Sequence, residues 1–209
     1  TISSDIETLG LIAHSSSPQL TVADGVSVSI ANALGKDGLE FRANSIVGAK
    51  ITGGFFHMLN KANCEVLFGR YVPGATATLS SVTVTNANYF IAARHFSDAV
   101  LTVADGSKIY SEYGKISQWN TYSGWGNTMK LTGGSEWNVN SHFYFESLEN
   151  SADGGVWGGS VLDVSDPGSL VSVGADMIMG HTGPSNKIHV SYSACLNVDG
   201  TLYLGGISS

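Results

Sequence analysis

Leu101-Thr102-Val103-Ala104-Asp105-Gly106-Ser107-Lys108-Ile109-Tyr110-Ser111-Glu112-Tyr113-Gly114-Lys115-Ile116-Ser117 is the stretch that decides the fold. Apolar and polar residues alternate over Leu101–Val103, the period of a half-buried strand. Asp105-Gly106 is a turn dipeptide, because both residues tolerate positive φ. A second short strand follows over Ser107–Ser111. Glu112-Tyr113-Gly114 then reads as a Gly-containing turn, and Lys115-Ile116-Ser117 as a third strand. Three strands and two turns of this kind make one coil of a β-solenoid, with Leu101, Val103, Ile109 and Ile116 pointing inward.

The pattern recurs on both sides of this stretch. Its first six residues appear unchanged as Leu20–Gly25, 81 positions earlier, or three steps of 27. Aligning strand starts at Leu101, Leu131, Leu162 and Ile188 gives steps of 30, 31 and 26 residues. A period between about 20 and 50 residues marks a repeat architecture, in which one unit cannot bury its apolar face alone and neighbours must stack. No window carries a sustained 3.6-residue apolar period with helix caps. The expected fold is therefore all-β: a single-stranded, right-handed parallel β-helix, that is, a three-sided β-solenoid of about 7–8 coils with loop insertions. Residues 1–209 are expected to form one solenoid domain. Within it, 1–18 reads as an irregular N-terminal segment and 43–74 as less regular coils or an insertion. The stretches 118–128 and 149–159 read as loops bulging from coil corners.

Composition agrees with a turn-rich β protein and narrows the partners. Hydrophobic residues make up 43% of the chain, charged residues 13%, and there are 26 glycines. Soluble proteins average roughly 25% charged residues and about 7% Gly. The net charge is −7, and the ten Lys and Arg are scattered. Without a basic patch, a nucleic-acid partner is not expected. No apolar run is long enough for a membrane-spanning helix, so no membrane insertion is expected. Cys64 and Cys195 have no Cys-x-x-Cys or Cys/His spacing, so no metal site is expected. In a stack of coils they lie too far apart to bridge, and both are expected to be free and buried. The chain opens on Thr1 and ends on Gly205-Gly206-Ile207-Ser208-Ser209 without a polar cap. A mature or excised piece of a longer solenoid, or a subunit that stacks end to end, is expected.

Leu-Thr-Val-Ala-Asp-Gly-Ser-x-Ile (Leu101–Ile109) and Leu-Asp-Val-Ser-Asp-Pro-Gly-Ser-Leu-Val (Leu162–Val171) resemble the degenerate repeats of right-handed parallel β-helix surface proteins. Autotransporter passenger domains and related long bacterial surface proteins look like this. The resemblance covers roughly residues 19–42 and 75–205. It implies a secreted or surface-displayed protein with an adhesive or, less often, an enzymatic role. No catalytic motif of such proteins maps onto this chain.

Candidate sites follow from what interrupts the coils. Trp119, Tyr122 and Trp125 fall close together in the first loop, and Trp157 lies in the second. Loop aromatics can stack on sugars or anchor a protein interface. The competing reading is that they fold over the solenoid edge as a local core. Asp24, Asp105 and Asp199 sit in Asp-Gly turns, and Asp153 and Asp166 lie in loops, so turn chemistry accounts for most of the acids. Asp163 and Asp176 lie near strands and could face one side. The six histidines form no ligand or catalytic pattern, and no cofactor or catalytic residue is assigned. Thr-x-Thr at Thr76/Thr78 and Thr83/Thr85 does not repeat coil after coil. The expected function is a non-catalytic extracellular scaffold or adhesin, with carbohydrate or a cell-surface protein as partner. It could be a fragment of a larger surface protein or a self-associating fibre subunit. The alternative is a polysaccharide-active β-helix enzyme or a carbohydrate-binding module.

Overall fold

The computed structural model describes residues 1–13, 18–31, 37–41, 48–61, 65–68, 74–93, 97–117, 126–145, 158–179 and 185–204. It is all-β, with parallel sheets stacked as a solenoid and no α-helix among the described residues. Each coil contributes strand to three faces. Face A is a seven-stranded sheet made of Gln19–Thr21, Ala49–Thr52, Thr76–Ser80, Val100–Ala104, Thr128–Leu131, Val161–Val164 and Lys187–Val190. Face B runs from Ile6–Thr8 through Ser27–Ile30, Phe55–Met58, Glu136–Val139 and Leu170–Val173 to Cys195–Val198. Face C runs from Leu11–Ala13 through Asp37–Phe41, Glu65–Leu67, Phe143–Tyr144 and Met177–Met179 to Leu202–Leu204. Two long strands, Thr83–Ala93 and Lys108–Ser117, serve both B and C and join them into one 14-stranded sheet. The five inner strands of face A have a neighbour on each side, so the stack amounts to about five enclosed turns with a terminal coil at each end. Counted as full turns enclosed on both sides, this is slightly fewer than the seven or eight coils expected; the two terminal coils make up the difference.

Alternation within each strand places the core. Face A turns Leu79, Val103, Leu131 and Val164 inward, face B turns Val28, Phe56, Val84, Ile109, Trp137 and Val171 inward, and all are buried. One continuous apolar cluster extends from Val22 to Met179. Part of it is filled by a row of rings: Phe90 lies 5.1 Å from Trp137, Trp137 4.8 Å from Phe143, and Phe143 5.6 Å from Phe145. Rings at these tilted spacings gain quadrupole attraction beyond their buried area.

Buried polar groups at two corners are paired, as the dry interior requires. Between faces A and B, Ser107, Ser135 and Ser169 are stacked and buried. Ser107 Oγ donates to Ala104 O at 2.6 Å and accepts from Val82 N–H at 3.0 Å. Between faces C and A, Asn127 Oδ1 accepts from Ala99 N–H at 3.0 Å while its Nδ2 donates to Ser117 Oγ at 3.0 Å. Ser117 is in turn 2.8 Å from Ser160 Oγ. The Asn127, Ser117 and Ser160 side chains thus link three coils at this corner, and Asn127 gives Ala99 N–H its partner.

Several expectations change. The segment expected to be irregular holds two short strands, Ile6–Thr8 and Leu11–Ala13, paired onto the coil that follows. Within 43–74, Ala49–Thr52, Phe55–Met58 and Glu65–Leu67 stack in register. Leu101 pairs with Met129, not Leu131, which lies beside Val103. The column Leu101, Met129, Leu162, Ile188 therefore steps by 28, 33 and 26 residues. The two identical hexapeptides are also out of phase on face A: Leu20 stacks through Ile51 and Leu79 onto Val103. They come into phase on face B, where Val28 stacks through Phe56 and Val84 onto Ile109, 81 residues on. The first coil takes two more residues round that corner.

Glu112-Tyr113-Gly114 is not a turn but the middle of the strand Lys108–Ser117. Gly114 points inward, and a Cβ there would lie 2.7 Å from Phe143 Cδ2 and 2.9 Å from Trp137 Cζ2. It is a glycine because the rings of the next coil occupy its side-chain space. Cys195 is free, as expected, but exposed. It stands in the outward column after Leu170, so it never reaches the core. Cys64 lies outside the described residues.

Candidate functional site

Trp119, Tyr122, Trp125 and Trp157 all lie outside the described residues, so no geometry attaches to them. A different group comes together on the outer surface of face C. Strand alternation that sends Phe90, Gly114 and Phe143 inward sends the residues beside them outward. Tyr89 pairs in register with Tyr113, and Ile91 with Lys115. Gly114 pairs with Phe143 and Lys115 with Tyr144, which sets His142 beside Tyr113. Phe143 pairs with Met177, which sets Asp176 beside His142. Tyr89, Tyr113, Lys115, His142, Tyr144 and Asp176 thus form one half-buried patch across four coils.

The rings and charges in it are closely arranged. Tyr89 and Tyr113 stack with centroids 4.8 Å apart and 21° between their planes, so their facing surfaces cover each other. Lys115 Nζ lies 4.5 Å from the Tyr89 ring centre and 5.9 Å from that of Tyr144, a cation–π arrangement that favours the ammonium. The His142 ring is 5.9 Å from Tyr144. Asp176 N–H donates to His142 Nδ1 at 3.3 Å, while the Asp176 carboxylate is 3.8 Å from that nitrogen. Asp176 Oδ1 accepts from Thr201 N–H at 2.8 Å. Burial raises the Tyr144 pKa above the usual 10.0, and the neighbouring Tyr113, Tyr89 and Asp176 add to it.

This arrangement specifies proton positions. A histidine that accepts a backbone N–H through Nδ1 carries its proton on Nε2. A catalytic His–Asp pair needs the reverse, with Nδ1–H donated to the carboxylate and Nε2 free to take a proton. Tyr144, with its raised pKa, stays a neutral phenol. Lys115 as ammonium, Tyr144 as O–H and His142 as Nε2–H are all donors. The patch sets these donors and ring faces beside the Asp176 carboxylate and can hold an acceptor-rich ligand.

The acids of the chain do not converge elsewhere in the described residues. Asp163 lies on face A, 3.0 Å from His189 Nδ1, away from Asp176 at the entry to face C. Asp105 accepts from Ser80 Oγ at 2.5 Å at a corner. Asp166 accepts from the Thr132 hydroxyl and from Gly133 N–H, which lowers its pKa. Both are corner acids with positive φ. No group of three or more His, Cys, Asp or Glu residues could hold a metal among the described residues.

Reading the sequence for loops passed over this patch, because its members share no motif. The signal was the succession of triplets Tyr89-Phe90-Ile91, Tyr113-Gly114-Lys115 and His142-Phe143-Tyr144, which becomes visible once the strands are in register. The Tyr144 environment makes a direct prediction. The part of stability that depends on a neutral Tyr144 is fully present below the unfolded-state pKa and is lost as pH rises through the higher folded one. Phenolate absorbance during alkaline titration should include a step above the usual tyrosine range, and Tyr144→Phe should remove it.

No protein-family model, curated protein or solved structure matches this chain. The likeness to solenoid proteins therefore rests on the fold itself.

Proposed function

We propose that this chain is a non-catalytic, extracellular β-solenoid scaffold of the adhesin type, and that the outer surface of face C holds a carbohydrate ligand. The observation that carries this reading is the donor set of Lys115, Tyr144 and His142 beside one another on a rigid sheet. Sugar hydroxyls and carboxylates are rich in acceptors, and a hydrogen bond to a charged group contributes about 1.5–3 kcal/mol. Stacked tyrosines give the surface rigidity at little entropic cost. The low charge and the turn-rich solenoid fit a scaffold whose faces, rather than a cleft, carry the chemistry.

A glycan array tests the proposal. Wild-type protein should retain oligosaccharides, uronate-bearing ones most strongly, and Lys115→Met and Tyr144→Phe should each weaken retention about tenfold, the loss of one good hydrogen bond. Trp125→Ala and Trp157→Ala, run alongside, report on the two loops. Retention that both face C variants leave unchanged would move the site to those loops. Release of new sugar ends or unsaturated products by the wild type would replace the scaffold reading with the enzymatic one.

A further inference from the structure

We propose that Asp24-Gly25 is a site of spontaneous covalent modification, at which the aspartate closes to a succinimide and reopens as isoaspartate. The comparison that carries this lies within the chain itself, because Leu-Thr-Val-Ala-Asp-Gly occurs at Leu20–Gly25 and again at Leu101–Gly106. Identical sequence gives the two Asp-Gly pairs the same intrinsic chemistry, but their corners hold them differently. By register Val22, Gly53, Ser81 and Asp105 form one column, so Val22 takes the place in the first copy that Asp105 takes in the second. Val22 is buried against the next coil, where a Cβ on Gly54 would lie 2.5 Å from its side chain. The longer corner of the first copy thus carries Asp24-Gly25 out of that column. Both pairs are exposed, so water reaches each.

Two hydrogen bonds separate the copies. At the second, Asp105 Oδ2 accepts from Ser80 Oγ at 2.5 Å, and Gly106 N–H donates to Gly133 O at 2.9 Å. At the first, neither the Asp24 carboxylate nor Gly25 N–H has a hydrogen-bond partner among the described residues. Val26 N–H donates to Ala23 O at 3.1 Å and closes that turn without engaging either group. Ring closure needs both of them. The Gly25 amide nitrogen bonds to Asp24 Cγ as a Cγ–O bond breaks, and the amide hydrogen and the carboxyl OH leave as one water. Glycine presents no Cβ to hinder the approach. A second water then opens the ring. Attack at Cγ restores aspartate. Attack at the main-chain carbonyl leaves isoaspartate, which routes the chain through Cγ and lengthens it by one methylene. Asp199-Gly200 is held like the second copy, with Gly200 N–H donating to Ala175 O at 3.0 Å. The Asp24 corner lies between faces A and B and is independent of any ligand on face C.

Heavy-oxygen water reports the ring, because every opening adds one solvent oxygen to the residue. The full chain, kept folded in such water at neutral pH and then digested for mass spectrometry, should take up label at Asp24 about tenfold faster than at Asp105, the difference made by two hydrogen bonds. In ordinary water an isoaspartyl peptide of unchanged mass should accumulate at Asp24. In urea the two copies should label at closely similar rates, which shows that the fold and not the sequence sets the difference. Ser80→Ala, which frees the Asp105 carboxylate, should speed labelling at Asp105 in the folded chain. Asp24→Glu, whose longer side chain cannot close a five-membered ring, should lose the label at that position. Folded protein that labels Asp105 or Asp199 as fast as Asp24 would overturn the proposal. So would folded protein that takes up no label at Asp24 while the unfolded chain does.

Discussion

Trp137→Ala is expected to lower the unfolding free energy by about 3–5 kcal/mol, the range for removing a fully buried tryptophan. Trp137 is fully buried, and its ring meets Phe90 on one side and Phe143 on the other, at 5.1 and 4.8 Å. Its removal opens a void in the core and breaks the row of rings on both sides. The indole Nε1–H also donates to Ser111 Oγ at 3.1 Å, so the alanine variant leaves a buried hydroxyl short of a partner. Trp137→Phe separates the two effects. It keeps most of the ring volume and should lose only about 1 kcal/mol, roughly the net value of a buried hydrogen bond. Urea midpoints of the two variants measure this. An alanine variant within about 1 kcal/mol of wild type would mean that the aromatic row does not hold the coils together.

The opposite change, at Gly114, should also be costly. Gly114→Ala puts a methyl group within 3.0 Å of Trp137 and Phe143, neither of which has a flexible end to move aside. Overpacking of this sort costs about 1–3 kcal/mol, and Gly114→Val should cost more. The two sites are coupled, so the double variant is informative. In a Trp137→Ala background one of the two close contacts is gone and the Phe143 ring has a void to shift into, so Gly114→Ala should cost less than it does in the wild type. A double-mutant cycle that shows strict additivity would mean the strand backs away from the rings.

Gly114 also shows where the sequence is ambiguous. Glycine serves a turn through positive φ and serves packing through its missing Cβ, and the two look alike on paper. At Asp105-Gly106 the turn reading holds, with φ of 56° and 71°. At Gly114 the packing reading holds, and the turn expected there is continuous strand that carries the chain from face B to face C. Alternation over Leu101–Ala104 and Ser107–Ser111 was enough to place the inward residues. Register between coils was harder, because corners differ in length: Leu20 to Val28 takes two residues more than Val103 to Ile109. A step of two preserves the face of every side chain, so the misaligned Leu101 and Leu131 still both point inward. Whether a residue faced in or out survived the misalignment. The Tyr89, Tyr113, Lys115, His142, Tyr144 and Asp176 patch did not, since it exists only across coils.

The two strands that serve faces B and C also set the order in which the molecule comes apart. Thr83–Ala93 takes its corner through a register shift after Val84, with Asn86 at φ 61° and its Nδ2 donating to Met58 O at 2.5 Å. Its successor, Lys108–Ser117, pairs with it over most of its length. An end coil has one neighbour to lose, whereas these central coils must give up two, on two faces at once. Amide protons should therefore exchange first at Ile6–Thr8 and Leu202–Leu204 and last around Val84 and Ile109. The solenoid is expected to open from its tips inward, coil by coil.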